Sequence, residues 1–209
     1  MANVLNVNPT RQELLKLKRR EVTAKRGHKL LKEKRDGLMQ QFLGIIREAK
    51  KLRERIEGEL GTAFYAFIFA SADMRPEVMG EALCMPSKET KLSVTTKNVM
   101  SVEIPEFAFE ESGDFLSYSL ALTSSELDTS LQVLSSSLKD MVQLAQIEHS
   151  ARLLAVEIEK TRRRVNALEY VFIPNIEETT AYITAKLNEQ ERGTIISLMK
   201  VKQLITEAE

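Results

Sequence analysis

The stretch "LLKLKRREVTAKRGHKLLKEKRDGLMQQFLGIIREAKKLRERIEGELGTA", residues 14–63, decides the fold. Written as heptads, its a positions are Leu14, Glu21, His28, Arg35, Phe42, Ala49, Ile56 and Ala63. Its d positions are Leu17, Ala24, Leu31, Leu38, Ile45, Leu52 and Glu59. Eleven of these fifteen are apolar, and no proline occurs between Pro9 and Pro76. Thr10 and Glu13 form a T-x-x-E capping box just ahead of the pattern. The spacing therefore predicts one helix over about residues 10–70, roughly 90 Å long at 1.5 Å per residue. A helix of that length and pattern needs a coiled-coil partner.

The partner lies at the other end of the chain. Leu127, Leu131, Leu134, Leu138 and Met141 begin a second seam. It resumes one step out of register as Leu144, Ile147, Ala151, Leu154, Ile158, Thr161, Val165, Leu168 and Phe172, so a discontinuity is expected near 141–144. Beyond Pro174 the apolar spacing continues through Ile176, Ile183, Leu187, Leu198, Val201 and Ile205. Pro174 removes one backbone donor and presses on the carbonyl of Tyr170, which predicts a kink or short break.

Between the helical segments, "KLSVTT" (91–96), "NVMSVEIP" (98–105) and "FLSYSLALT" (115–123) are β-rich. Lys97-Asn98 reads as a hairpin turn and Pro105 as a strand end. The expected fold is mainly α, a long antiparallel two-helix coiled coil with a small β-hairpin-containing cap in mid-chain. Its segments are 1–70, 71–123 and 124–209.

Composition narrows the function. Lys and Arg balance Asp and Glu at 30 each, yet residues 10–55 hold 16 basic against 6 acidic residues and residues 71–130 hold 4 against 11. One part of the chain is built to face something acidic. Neither a P-loop nor a G-x-G-x-x-G motif occurs, and two histidines with one cysteine are too few for a zinc site without heavy carboxylate help. No enzyme, no cofactor and no small-molecule substrate are expected. Cys84 alone permits no internal disulfide and reads as a packing residue suited to a reducing compartment. No apolar run approaches the ~18–20 residues of a membrane span, and no signal-peptide core is present. The expectation is a soluble cytoplasmic protein.

Two local features carry the remaining argument. His28 shares the a row with Glu21 and Arg35; either they form a polar layer that fixes register, or the seam opens there toward a partner or water. Arg162, Arg163 and Arg164 are consecutive, so at about 100° per residue they fan over more than half a helix circumference. Glu159 can serve Arg162 or Arg163 on the same helix, but Arg164 has no such carboxylate behind it. An antiparallel register sets them roughly alongside the basic "LKRREVTAKRGHKLLKEKR" of the first helix. Such a collar suits an encircling acidic protein or a phosphate backbone. Against nucleic acid, the stretch has almost no aromatic residues to stack on bases and no single groove-facing stripe. A structural coiled-coil adaptor is the other bottom-up reading.

The two terminal segments are also similar to a known family. N-P-T-R at 8–11, R-G-H-K-L-L-K at 26–32 and E-I-E-K-T-R-R-R-V-N-A-L-E at 157–169 resemble the signatures of the D subunits of V-type and A-type rotary ATPases, with a looser likeness through "KNVMSVEIP". The resemblance implies a non-catalytic central rotor shaft, cytoplasmic and peripheral to the membrane. Its termini would enter the ring of A and B catalytic subunits, and its other end would bind the small F subunit and a C/d-type socket. By the same resemblance Lys25, Arg26, Arg162, Arg163 and Arg164 would touch the A and B subunits.

Overall fold

The computed structural model describes residues 5–208, and side chains through Ile205; the outermost residues of the two expected end segments lie outside it. The chain is mainly α. Helix α1 runs Arg11–Asp73, the short helix α2 Pro76–Cys84, strands β1 and β2 Glu89–Val99 and Val102–Ser112, and helix α3 Ser125–Ala167. Five residues of π-helix, Leu168–Phe172, lead directly into α4, Ile173–Ala208. Thr10 caps α1: its Oγ1 accepts the Glu13 N–H at 3.3 Å and its carbonyl the Leu14 N–H at 3.0 Å.

The chain divides into two compact units, one of residues 1–37 with 159–209 and one of residues 38–158. In the first, Leu17, Ile176 and Ile183 form the core, with Leu14 and Leu187 against it. The helices there run antiparallel, since Arg11 pairs with Glu191, Lys25 with Glu177 and His28 with Glu169. The Leu5 N–H donates to Thr179 Oγ1 at 3.0 Å and ties the residues before α1 to α4.

The second unit is centred on Leu38, Val102, Leu154 and Ile158, with Phe42, Ile45, Ile104 and Leu153 packed on them. Arg53–Glu148 and Arg55–Asp140 bridge α1 to α3. The α3 seam differs from the expected one. Ser130 and Ser137 are buried while Leu134 is exposed, and every seventh residue from Ser130 through Ser137, Leu144, Ala151, Ile158 and Val165 is buried or half-buried. This row keeps one phase, while Leu127, buried, and Leu131, Leu138 and Met141, half-buried, lie on the expected one. A serine can hold a core position in a helix because its hydroxyl bonds back to its own backbone, as Ser137 does to the Leu134 carbonyl at 3.1 Å. Ala63, Ala66 and Ala70 give α1 equally small buried residues.

The hairpin is longer than the sequence reading and turns elsewhere. β1 and β2 pair from Glu89↔Ser112 to Val99↔Val102, and the turn is Met100-Ser101 with φ of 50° and 71°. Asn98 stands outside the turn: its Oδ1 accepts the Ser101 N–H at 3.0 Å. Pro105 lies within β2, opposite Thr96, and does not end the strand. Counting from the turn, that pair is a non-hydrogen-bonded one, so its missing N–H would have pointed away from β1. Two residues on, the outward N–H of Phe107 donates to Gln146 Oε1 of α3 at 2.9 Å. With that edge of β2 turned to a helix, residues 115–123 form loop and turns and add no third strand. Gly113, at φ 89°, lets the chain leave β2 beside Ser87, whose carbonyl oxygen would lie 2.2 Å from any added Cβ.

Candidate partner-contact surface

All five candidate contact residues belong to the first unit and all are exposed. Arg162, Arg163 and Arg164 lie between Thr161 and Val165, each 1% exposed. Those two residues define the inward direction. At about 100° per residue, Arg163 then points directly outward while Arg162 and Arg164 lie to either side. The outermost of the three, Arg163, is held by Glu159 one turn back. The fan expected from sequence is thus set by two buried neighbours.

Lys25 sits in a different setting. Its ammonium contacts Glu21 and Glu177 at 2.7 Å each. The hydrogen bond to Glu177, then that to Glu21, holds its pKa above the usual lysine range. Arg26 is exposed beside it. Fourteen residues separate Arg163 from Glu177, about 20 Å along a helix, so Lys25 and Arg26 are not level with the arginines. The His28–Glu169 contact places the triplet about level with residues 33–37, the end of the basic stretch. Sequence reasoning missed Glu169, Glu177 and Glu191 as cross-helix partners. Their signal was an acidic residue opposite a cation, which becomes visible only once the register is known.

The polar a positions are half-buried and engaged. Glu21 binds Lys25, the His28 ring meets Glu169 at 3.3 Å, and Arg35 forks onto Asp36 at 2.8 and 3.0 Å. Leu17, Ala24 and Leu38 on the d row stay buried beside them. Only the His28 contact crosses to the other helix; Glu21 and Arg35 bond to neighbours within α1 itself. Among the described residues no group of His, Cys, Asp and Glu has metal-binding spacing, and no helix is long and apolar enough to cross a membrane.

Residues 13–203 match the family model of the ATP synthase D subunit. The chain belongs to that family. The D subunit of the V-type ATP synthase of Clostridioides difficile is 52% identical over 204 residues, covering 96% of this chain and 92% of the relative. The corresponding V-type ATP synthase D subunit of Acetivibrio thermocellus is 51% identical, covering 98% and 94%, and that of Fusobacterium nucleatum is 50% identical, covering 96% and 97%. As a D subunit, the chain is a component of a V-type ATP synthase.

Proposed function

We propose that this D subunit is the non-catalytic central shaft of the complex, with its first unit inserted into a ring of A and B catalytic subunits. The observation that carries the reading is the arginine triplet, whose side chains cover the whole outward arc of a helix whose inner face is packed. A helix bound on one side needs cations on one side; a shaft turning inside a ring meets acidic groups in every direction. Hydrolysis in the ring turns the shaft, the shaft drives ion translocation at the membrane, and the reverse rotation drives synthesis.

The physical properties required are compatible with the sequence. Torque transmission needs stiffness, and paired long helices resist bending better than one. Rotation needs contacts that can be remade, and exposed ion pairs worth about 0–1 kcal/mol each exchange easily. The small F subunit and a C/d-type socket are the proposed partners of the hairpin-bearing part, and the location is peripheral on the cytoplasmic side. Lys25, Arg26, Arg162, Arg163 and Arg164 are the proposed contacts to A and B.

The test is a tagged pull-down from nuclease-treated host lysate, with ATP hydrolysis assayed in the eluate. Recovery of two large nucleotide-binding chains and a small partner, with hydrolysis, supports the shaft. Recovery of none of them leaves an adaptor, and binding lost only on nuclease treatment points to nucleic acid.

A further inference from the structure

We infer that the π-turn Leu168–Phe172 is a one-residue register adaptor, which lets two stretches of a seam that are out of phase by one residue both face α1.

The phase difference is visible in the burial pattern. Thr161, Val165 and Leu168 carry the α3 seam, and an unbroken three-four spacing would continue through Phe172, Asn175, Thr179 and Tyr182. Phe172 and Tyr182 are instead 48% and 49% exposed, while Ile176 and Ile183 are 1% and 0% exposed. Thr179 borders both patterns and is buried in either. From Leu168 to Ile176 is eight residues where a heptad needs seven. In a continuous α-helix that extra residue would rotate the downstream core by about 100° away from α1.

A π-turn holds one more residue per turn than an α-turn, and it occurs as a single-turn bulge within α-helices. Here the Ile173 N–H donates to the Leu168 carbonyl, five residues back. Two neighbours fix the bulge at this position. Pro174 follows at once; it has no N–H, and in an α-turn its ring would crowd the Tyr170 carbonyl. Glu169, inside the turn, meets His28 of α1. The surplus is turned outward as Tyr170 and Val171, 72% and 56% exposed, with Phe172. At Pro174, where the sequence predicts a kink or short break, the helical run continues through a wide turn.

A deletion at the bulge should therefore be better tolerated than an insertion. Removing Val171 while changing Pro174→Ala should leave an uninterrupted α-helix with Ile176 and Ile183 still facing α1. Inserting one alanine after Val171 should rotate them away. Both are made in the full-length chain with Cys84→Ser, Lys25→Cys and Glu177→Cys, and compared with that background by circular dichroism, thermal midpoint and cross-linking with a short bismaleimide. Expected for the deletion are unchanged or higher helicity and midpoint, with cross-linking retained. Expected for the insertion are a lower midpoint and lost cross-linking. A deletion that unfolds or loses the cross-link, or an insertion tolerated as well as the deletion, overturns the adaptor. These readouts require no other subunit, so they stand or fall apart from the shaft reading.

Discussion

Thr161 and Val165 fix the directions of the three arginines between them, and the proposed ring contact follows from those directions. Changing Arg162, Arg163 and Arg164 together to alanine should leave the thermal midpoint nearly unchanged, because exposed charges contribute little to stability. The same variant should bind a reconstituted A/B ring at least tenfold more weakly and with a flatter salt dependence, measured by titration at low and high KCl. Unchanged affinity would remove the triplet from the interface. Tyr118 offers a second test at this scale. Its hydroxyl donates to Asp128 at 2.6 Å, and desolvation, then that carboxylate, pushes its pKa above the ordinary phenol range. A raised pKa stabilises the folded chain in full below the unfolded value of about 10, and the contribution fades as pH rises toward the folded value. Tyr118→Phe should therefore lower stability by about 1 kcal/mol at pH 7. The difference should shrink in denaturation series carried above pH 10, and a difference constant across that range would count against it.

At the scale of the element, α3 shows how a seam can be hidden in a sequence. Leucines at 131, 134 and 138 suggest a core row, but Leu134 is exposed and the other two only half-buried, and a second, more deeply buried row runs through Ser130 and Ser137. A reading that scores serine as polar cannot find it, because the hydroxyl is satisfied within its own helix and only the small size matters to the neighbour. Ser137→Leu should then overpack the pair and destabilise by about 1–3 kcal/mol, read as a lower urea midpoint. A neutral or stabilising result would mean that the site has room. The hairpin was legible as two strands with a short turn, but the turn was displaced by three residues. Asn98 carries the sequence signal, yet it acts as an acceptor from outside the turn while Met100 and Ser101 take the positive φ values.

For the whole molecule, each of the two units has its own apolar cluster, one on Leu17, Ile176 and Ile183 and one on Leu38, Val102, Leu154 and Ile158. Ile183→Ala and Leu154→Ala each remove a fully buried branched side chain and should destabilise by about 2–5 kcal/mol. Because the clusters share no residue, the double variant should be additive within about 0.5 kcal/mol in chemical denaturation. A larger deviation would show the two clusters to be energetically coupled. The sequence by itself determined the mainly helical class, the extent of α1, the presence of a hairpin in mid-chain, the basic surface and the family resemblance. Each of these depends on residue type and on spacing along one strand of chain, which periodicity, caps and motifs record directly. Only the tertiary structure decided which carboxylates meet Lys25 and His28, which serines enter the seam, why no third strand forms, and how Pro174 is accommodated. Those depend on register between segments distant in sequence. A shift of one residue there moves a side chain by about 100° around its helix, and only the packed partner selects among the alternatives.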